Sequence, residues 1–298
     1  MRTITLEEHF VTNEFIKATG SYGAGTTAGV AVLRDKLLDI GAGRIAAMDA
    51  ARIDTQVLSL AAIGRENLSN TDEPAILRGV HDELAAAMKA HPDRFAGLAT
   101  AGLLQPSEAV KEIERCVQEL GFKGVIVVAM GVPLYLHPAP PPKAVADVYY
   151  SGLPHEVGHL LSIAGWGWHA ETGLHVLRLI TSGVMDRLPE LRIIIGHMGE
   201  GLPYALARSS GVLSHAAKLQ RSVADTFKEQ CHVTTSGYFT RPPFECAREV
   251  FGFEHMMYSV DYPFSSNERG VEFLQQLELS GDEMAAFCGG HAAALLKM

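Results

Sequence analysis

Eight short apolar runs, several rich in Val, Ile and Tyr, punctuate this chain at about residues 4–10, 55–60, 95–102, 124–130, 132–138, 192–199, 231–237 and 256–264. Runs of this length bounded by turn residues read as buried strands. Helical patterns fill most of the gaps, at Arg34–Arg52, Glu73–His91, Pro106–Leu120, Glu171–Leu188 and Pro242–Phe251. Pro106-Ser107-Glu108 sets a proline and an acidic residue in a first turn, as helix starts often do. Strand alternating with helix is the mark of an α/β protein, and eight strands suit a closed parallel barrel. The expected fold is therefore α/β, a distorted TIM (β/α)8-like barrel. Barrels of this kind often exceed the usual domain size without dividing, so residues 1–298 are expected to form one domain.

The rhythm fails once. Gly131 alone separates the runs 124–130 and 132–138, whereas a parallel crossover needs roughly ten residues or more. The crossover helix between strands 4 and 5 is missing from the pattern. A tight antiparallel turn, one long bent strand, or an incomplete barrel patched by another element would each account for it. Two longer excursions, 139–168 and 202–230, also depart from the rhythm. Loops of that size above the C-terminal face of a barrel usually carry specificity.

Composition narrows the function classes. A formal net charge of −9 with no dense Lys/Arg cluster argues against nucleic acid, whose phosphates demand grouped cations. At 47% hydrophobic the chain can build a large core, yet charges break its apolar runs well short of a bilayer span, so no membrane partner is expected. The N-terminus runs straight into a strand-like segment without a signal-peptide stretch, which points to the cytoplasm. Cys116, Cys231, Cys246 and Cys288 lie far apart with no CxxC pair, so they are expected to be reduced and mostly buried.

Several strand-like runs end in groups suited to metal binding or proton transfer. In Leu6-Glu7-Glu8-His9-Phe10, alternation along a strand puts residues 7 and 9 on one side and residue 8 on the other. Glu7 and His9 can then bind one ion together; the plainer reading is an exposed acidic strand end. His137 closes Leu134-Tyr135-Leu136-His137-Pro138, where a lone histidine is more often a core residue bonded to backbone. His197 sits among glycines in Gly196-His197-Met198-Gly199-Glu200-Gly201, which permit tight turns and close approach of a ligand. Asp261 ends Met257-Tyr258-Ser259-Val260-Asp261, and burial there is costly without a cation or a donor. Strand C-termini of a parallel barrel converge on one face, so Glu7, His9, His137, His197 and Asp261 can meet although they span most of the chain. A mixed carboxylate and imidazole set suits Zn²⁺ or Mn²⁺. Arg208, after the apolar stretch 202–207, is either a clamp for a substrate carboxylate or a helix-surface arginine. His169 and His175 flank Glu171 at a spacing unlike a metal-binding pair and read as structural. Trp166 and Trp168 would wall a ring-shaped substrate or anchor their loop to the surface or to a second subunit. No GxSxG, P-loop or GxGxxG is present.

With these pieces in place, the chain resembles the amidohydrolase-2 group, and within it the metal-dependent nonoxidative decarboxylases typified by γ-resorcylate and aminocarboxymuconate-semialdehyde decarboxylases. The resemblance covers almost the whole length. It is carried by Leu6–Phe10, Met48–Leu60, Pro133–Pro138, Ile195–Tyr204, Thr234–Gly237 and Ser259–Phe264. It implies a distorted TIM barrel assembled as a homodimer or homotetramer, with one Zn²⁺ or Mn²⁺ held by Glu7, His9, His137 and Asp261. It further implies His197 as the histidine beside the aspartate and Arg208 as a substrate-holding arginine. Relatives carry a loop and crossover helix between strands 4 and 5 that this chain lacks, and the absence of an HxH motif separates it from the binuclear deaminases.

The expected activity is nonoxidative decarboxylation of a hydroxylated aromatic carboxylate of the 2-hydroxybenzoate type. The ion would chelate the phenolic oxygen and a carboxylate oxygen, Asp261 would protonate the carboxylate-bearing ring carbon, and Arg208 would orient the carboxylate. Two rivals share the scaffold: a metal-dependent hydrolase of a lactone or related C–O or C–C bond, and an inactive binding or scaffold protein.

Overall fold

A computed structural model describes residues 2–22, 28–102, 104–125 and 133–298. Eight strands form one sheet in sequence order: β1 (Ile4–Phe10), β2 (Thr55–Leu60), β3 (Phe95–Ala99), β4 (Gly124–Val125), β5 (Leu134–Leu136), β6 (Ile193–Ile195), β7 (Cys231–Thr234) and β8 (Met256–Met257). Every neighbouring pair is parallel. β1 and β2 span the apolar runs completely. β6 and β8 stop short because their runs continue past the ladder into the segments that carry His197 and Asp261.

Helices cover the connections. α1 (Asn13–Thr19), α2 (Ala28–Leu38) and α3 (Ala42–Ala50) follow β1, α4 (Glu73–Ala90) follows β2, and α5 (Pro106–Gln118) follows β3. After β5 come α6 (Lys143–Tyr149), α7 (His155–Ser162), α8 (Gly167–Thr181) and α9 (Val184–Arg187). A short turn, α10 (His197–Glu200), then α11 (Leu202–Ala216) and α12 (Val223–Gln230) follow β6; α13 (Arg241–Phe251) follows β7 and α14 (Asn267–Gln276) follows β8. None of the described helices is long and apolar enough to cross a membrane.

Two helices expected as single pieces are broken. The apolar period runs through 34–52, but the Asp39 carboxylate accepts the Gly41 amide at 2.9 Å and ends the first helix there. The expected helix at 171–188 starts earlier, at Gly167, and breaks at Gly183, whose φ of +72° no regular helix holds.

β4 and β5 lie side by side, with Val125 opposite Leu134 in a parallel pair. That corrects two of the three arrangements considered for this region. An antiparallel turn would reverse the second strand, and one bent strand cannot pair with itself. No helix lies between the two strands among the described residues. The connection through Gly131 itself lies outside the described residues.

Successive strand residues face opposite ways, so the sheet has two apolar faces. Ile4, Leu6, Val57, Ala96, Leu98, Tyr135, Ile194 and Met257 form one cluster, joined by Ala292 and Leu296 from near the C-terminus. Leu58, Ala99, Leu134, Ile193, Ile195 and Val233 face the helices and pack with Leu84, Ile113, Val176, Phe227 and Phe244. β1 carries a bulge: Thr5 pairs with Gln56, but Glu8 pairs with Leu58, so one extra residue is absorbed between Thr5 and Glu8, in the stretch that carries Glu7. β1 and β8 share no ladder among the described residues. The two ends of the sheet meet instead mostly through side chains, with one backbone bond from the His9 amide to the Tyr262 carbonyl. Ser259 Oγ accepts the Leu6 and Glu7 amides at 3.3 and 2.7 Å, and the Glu8 carboxylate accepts amides of the segment after β8.

Candidate metal centre

Five of the six residues singled out in the sequence come together where β1, β5, β6 and β8 end. Glu7, Glu8 and His9 are at most 1% exposed, which removes the reading of an exposed acidic strand end. Tyr135 donates its hydroxyl to Glu7 Oε2 at 2.6 Å and fixes that carboxylate. The other oxygen, Oε1, stands 3.4 Å from His137 Nε2. His9 Nε2 stands 3.2 Å from Asp261 Oδ1. The rings of His9 and His137 meet edge to face with centroids 4.8 Å apart.

The second ring nitrogens set the tautomers. His137 Nδ1 donates to the Pro138 carbonyl at 2.7 Å, which leaves Nε2 with its lone pair turned towards Glu7. His9 Nδ1 is bonded to Ser59 Oγ at 3.2 Å. Burial lowers both histidines to about 4, so both imidazoles are neutral near pH 7 and free to act as ligands. Burial opposes ionisation of Glu7, but its interactions with the surrounding histidines, the charged His197 foremost, outweigh it and hold the carboxyl down at about 2. Asp261 is pushed up, first by burial and then by the charge of Glu7.

The donor set has the marks of a divalent-ion site. Glu7 Oε1 and His9 Nε2 are buried without a hydrogen-bond partner, a costly state for polar atoms. Donors bound at about 2.0–2.2 Å around one ion lie about 3.0–3.5 Å from their neighbours. The Glu7–His137 and His9–Asp261 separations of 3.4 and 3.2 Å fall in that range. Glu7, His9 and His137 also offer three donor atoms within 4.8 Å of one another. The residues fit.

His197 enters from the next strand by an unusual backbone. His197, Met198, Gly199, Glu200 and Gly201 all have positive φ, between 48° and 81°. Each non-glycine residue in this left-handed turn costs about 1–2 kcal/mol, and such strain concentrates at functional sites. It brings Glu200 round to accept from His197 Nδ1 at 2.8 Å, while His197 Nε2 faces Asp261 Oδ2 at 3.9 Å. Burial alone would depress His197. The carboxylates of Glu200, Glu7 and Asp261 outweigh it and hold the imidazolium up to about 10.

Sequence reasoning missed two members of this group. Glu200 is buried and bonded to both His197 and His169. His169, read above as structural, reaches the site through that carboxylate, and its Nε2 donates to the Ala164 carbonyl at 3.1 Å. The glycines around Glu200 signalled a tight turn, but its handedness decides which side chains meet. Arg208 lies on the exposed face of α11, with no ion pair to the site among the described residues. A second cluster, His81, Glu112 and Cys116, is already satisfied: His81 Nε2 accepts the Thr100 amide at 2.9 Å, and Glu112 pairs with Arg115 and Arg78.

Residues 9–298 match the amidohydrolase family profile of the second group. The chain belongs to the amidohydrolase-2 family. A relative, the decarboxylase orsB of Emericella nidulans, is 36% identical over 93% of this chain and 90% of its own length. The γ-resorcylate decarboxylase of a Polaromonas species is 32% identical over 99% of this chain and 98% of its own. That alignment runs over 329 positions against a chain of 298 residues, so the relative carries segments that this family member lacks. Among solved structures, a 2,6-dihydroxybenzoate decarboxylase in complex with 2,6-dihydroxybenzoate superposes with a TM-score of 0.89 at 30% identity, covering 100% of both chains. The α/β architecture is thus that of the family's TIM-barrel decarboxylases.

Proposed function

We propose that this protein is a metal-dependent nonoxidative decarboxylase, a carboxy-lyase acting on a hydroxylated aromatic carboxylate of the 2-hydroxybenzoate type. The observation that carries it is the pair of orphaned buried atoms, Glu7 Oε1 and His9 Nε2, facing His137 and Asp261 at ion-bridging distances. Glu7, His9, His137 and Asp261 would hold one divalent ion. Manganese bound in a Polaromonas dihydroxybenzoate decarboxylase of 31% identity supports Mn²⁺, with Zn²⁺ the other ion suited to these donors. When bound, the ion supplies a Lewis acid and a template for the phenolic and carboxylate oxygens.

The chain's own groups handle the proton. Asp261, between His9 and His197, would deliver it to the ring carbon that bears the substrate carboxylate. The C–C bonding pair then returns to the ring and CO₂ departs. His197, kept protonated by Glu200, faces the same carboxylate and holds its charge as the proton leaves. Phe264, 40% exposed and edge-on to His9 at 5.6 Å, lines the mouth with apolar surface that suits a planar ring. Arg208, exposed on α11, would partner the substrate carboxylate.

The whole chain, 1–298, serves as one domain in this reading, and the unpaired cysteines favour the cytoplasm. The apolar face of α6–α7, with Val148, Tyr149, Val157 and Leu160 all at least half exposed, favours a homodimer or homotetramer. Chelator-stripped protein incubated with 2-hydroxybenzoates should release no CO₂ and recover on addition of Mn²⁺ or Zn²⁺. Release that ignores metal ends the proposal.

A further inference from the structure

Glu8 stands between two of the proposed ligands in sequence but faces the other way, fully buried. Its Oε1 accepts the Val260 amide at 3.0 Å and its Oε2 the Tyr262 amide at 2.9 Å. Those amides belong to the residues before and after Asp261, whose φ is +68°. One carboxylate thus brackets a single residue held in a conformation that L residues rarely adopt. Ser259 Oγ donates to Glu8 Oε1 at 3.3 Å, and the His9 amide donates to the Tyr262 carbonyl at 2.7 Å. Every one of these bonds joins the segment bearing Glu7 and His9 to the segment bearing Asp261. Gln56 and the buried Arg44 back the bracket from behind: Gln56 Nε2 lies 3.5 Å from Glu8 Oε2, and Arg44 Nη2 donates to the His9 carbonyl at 2.6 Å.

A residue that only closed the sheet could be met by a ladder between β1 and β8. Here the contacts fall instead on the residues before and after Asp261, one of them on the peptide that leads out of it. We propose that Glu8 is a positioning residue for the metal centre, holding Asp261 in its left-handed arch so that Oδ1 meets His9 and Oδ2 faces His197. The proposal rests on reading Glu7, His9, His137 and Asp261 as ligands.

Glu8→Gln keeps the volume and turns an amide N–H₂ towards one of the two backbone donors, so one arm of the bracket is lost. Stripped wild type and variant are titrated with Mn²⁺, with electron paramagnetic resonance reporting both free ion and the spectrum of the bound ion. Circular dichroism of the stripped proteins reports the fold. Misplaced support of a ligand costs about 10–100-fold in metal affinity, and that loss is expected here together with an altered bound-ion spectrum. In an Asp261→Asn background, Glu8→Gln should cost no further affinity. If the wild type binds Mn²⁺ and Glu8→Gln binds it equally well with the same spectrum, the positioning role is refuted and the ligand reading stands. A wild type that binds no Mn²⁺ overturns both. Should Glu8→Gln fail to fold, Ser259→Ala decides, since it removes the hydroxyl that ties Glu8 to the Glu7 amide. A smaller loss of affinity in the same direction supports the role, and wild-type binding overturns it.

Discussion

Alanine at position 196 probes the metal centre with a single carbon atom. Gly196 has φ −68° and ψ −176°, open to any residue, so the backbone itself resists nothing. The added Cβ would stand 2.6 Å from Glu7 Oε2 and 3.0 Å from Oε1, where ordinary contact begins at 3.4 Å. The carboxylate must retreat by about 0.8 Å, against the Tyr135 hydroxyl that holds it at 2.6 Å. Misplacement on the order of 1 Å costs about 100-fold in rate, and disturbed ligand support about 10–100-fold in metal affinity. Gly196→Ala should therefore bind Mn²⁺ about 10–100-fold more weakly, about 1.4–2.7 kcal/mol. Calorimetric titration of stripped protein measures this directly. Melting with and without Mn²⁺ separates site from fold: the variant should differ from wild type mainly in the metal-loaded form. Equal Mn²⁺ affinity in both proteins would show that Glu7 is not a ligand, and the site as described would fail with it.

Asp261→Asn keeps the shape but carries no transferable acid proton, and turnover should fall on the order of 10²–10⁴-fold in a CO₂-release assay; near-normal turnover would reassign the proton donor. His232 is lowered to about 3, chiefly by burial and then by repulsion from His255, Arg192 and His291. Between pH 6.5 and 3 the unfolded chain then binds a proton that the folded one refuses, so this stability is complete above about 6.5 and is lost as pH falls, by at most about 1.4 kcal/mol per unit. His232→Gln should lose less melting temperature between pH 7 and pH 5 than wild type, and equal losses would contradict the assignment. Sedimentation should show wild type above the 32.1 kDa of one chain, with Tyr149→Ser combined with Leu160→Glu shifting it towards that mass; a monomeric wild type would refute the apolar face as a contact between copies.

The sequence carried most of the fold because its strands are buried on both faces and so stand out as continuous apolar runs. β1 and β2 keep the bounds read from those runs. The break near Asp39 was hidden because it depends on one carboxylate capping the Gly41 amide, while the apolar period continues through it. The ligand candidates were legible because polar groups at the ends of apolar strands are conspicuous. Glu200 and His169 were not, since their meeting depends on five consecutive positive φ values and on a helix that begins at Gly167. Periodicity assumes one handedness throughout. The β4–β5 pairing was equally beyond a reading of spacing, which counted residues between strands but could not see their direction.

The left-handed turn at 197–201 also bears on how such a chain can change. Helices tolerate slippage by whole turns and strands by pairs of residues, but neither neighbour can take up a residue with reversed twist. Insertion or deletion between Gly196 and Leu202 therefore has nowhere to dissipate. Length variation on this face of the protein should be confined to other connections, while these five residues travel as an indivisible unit.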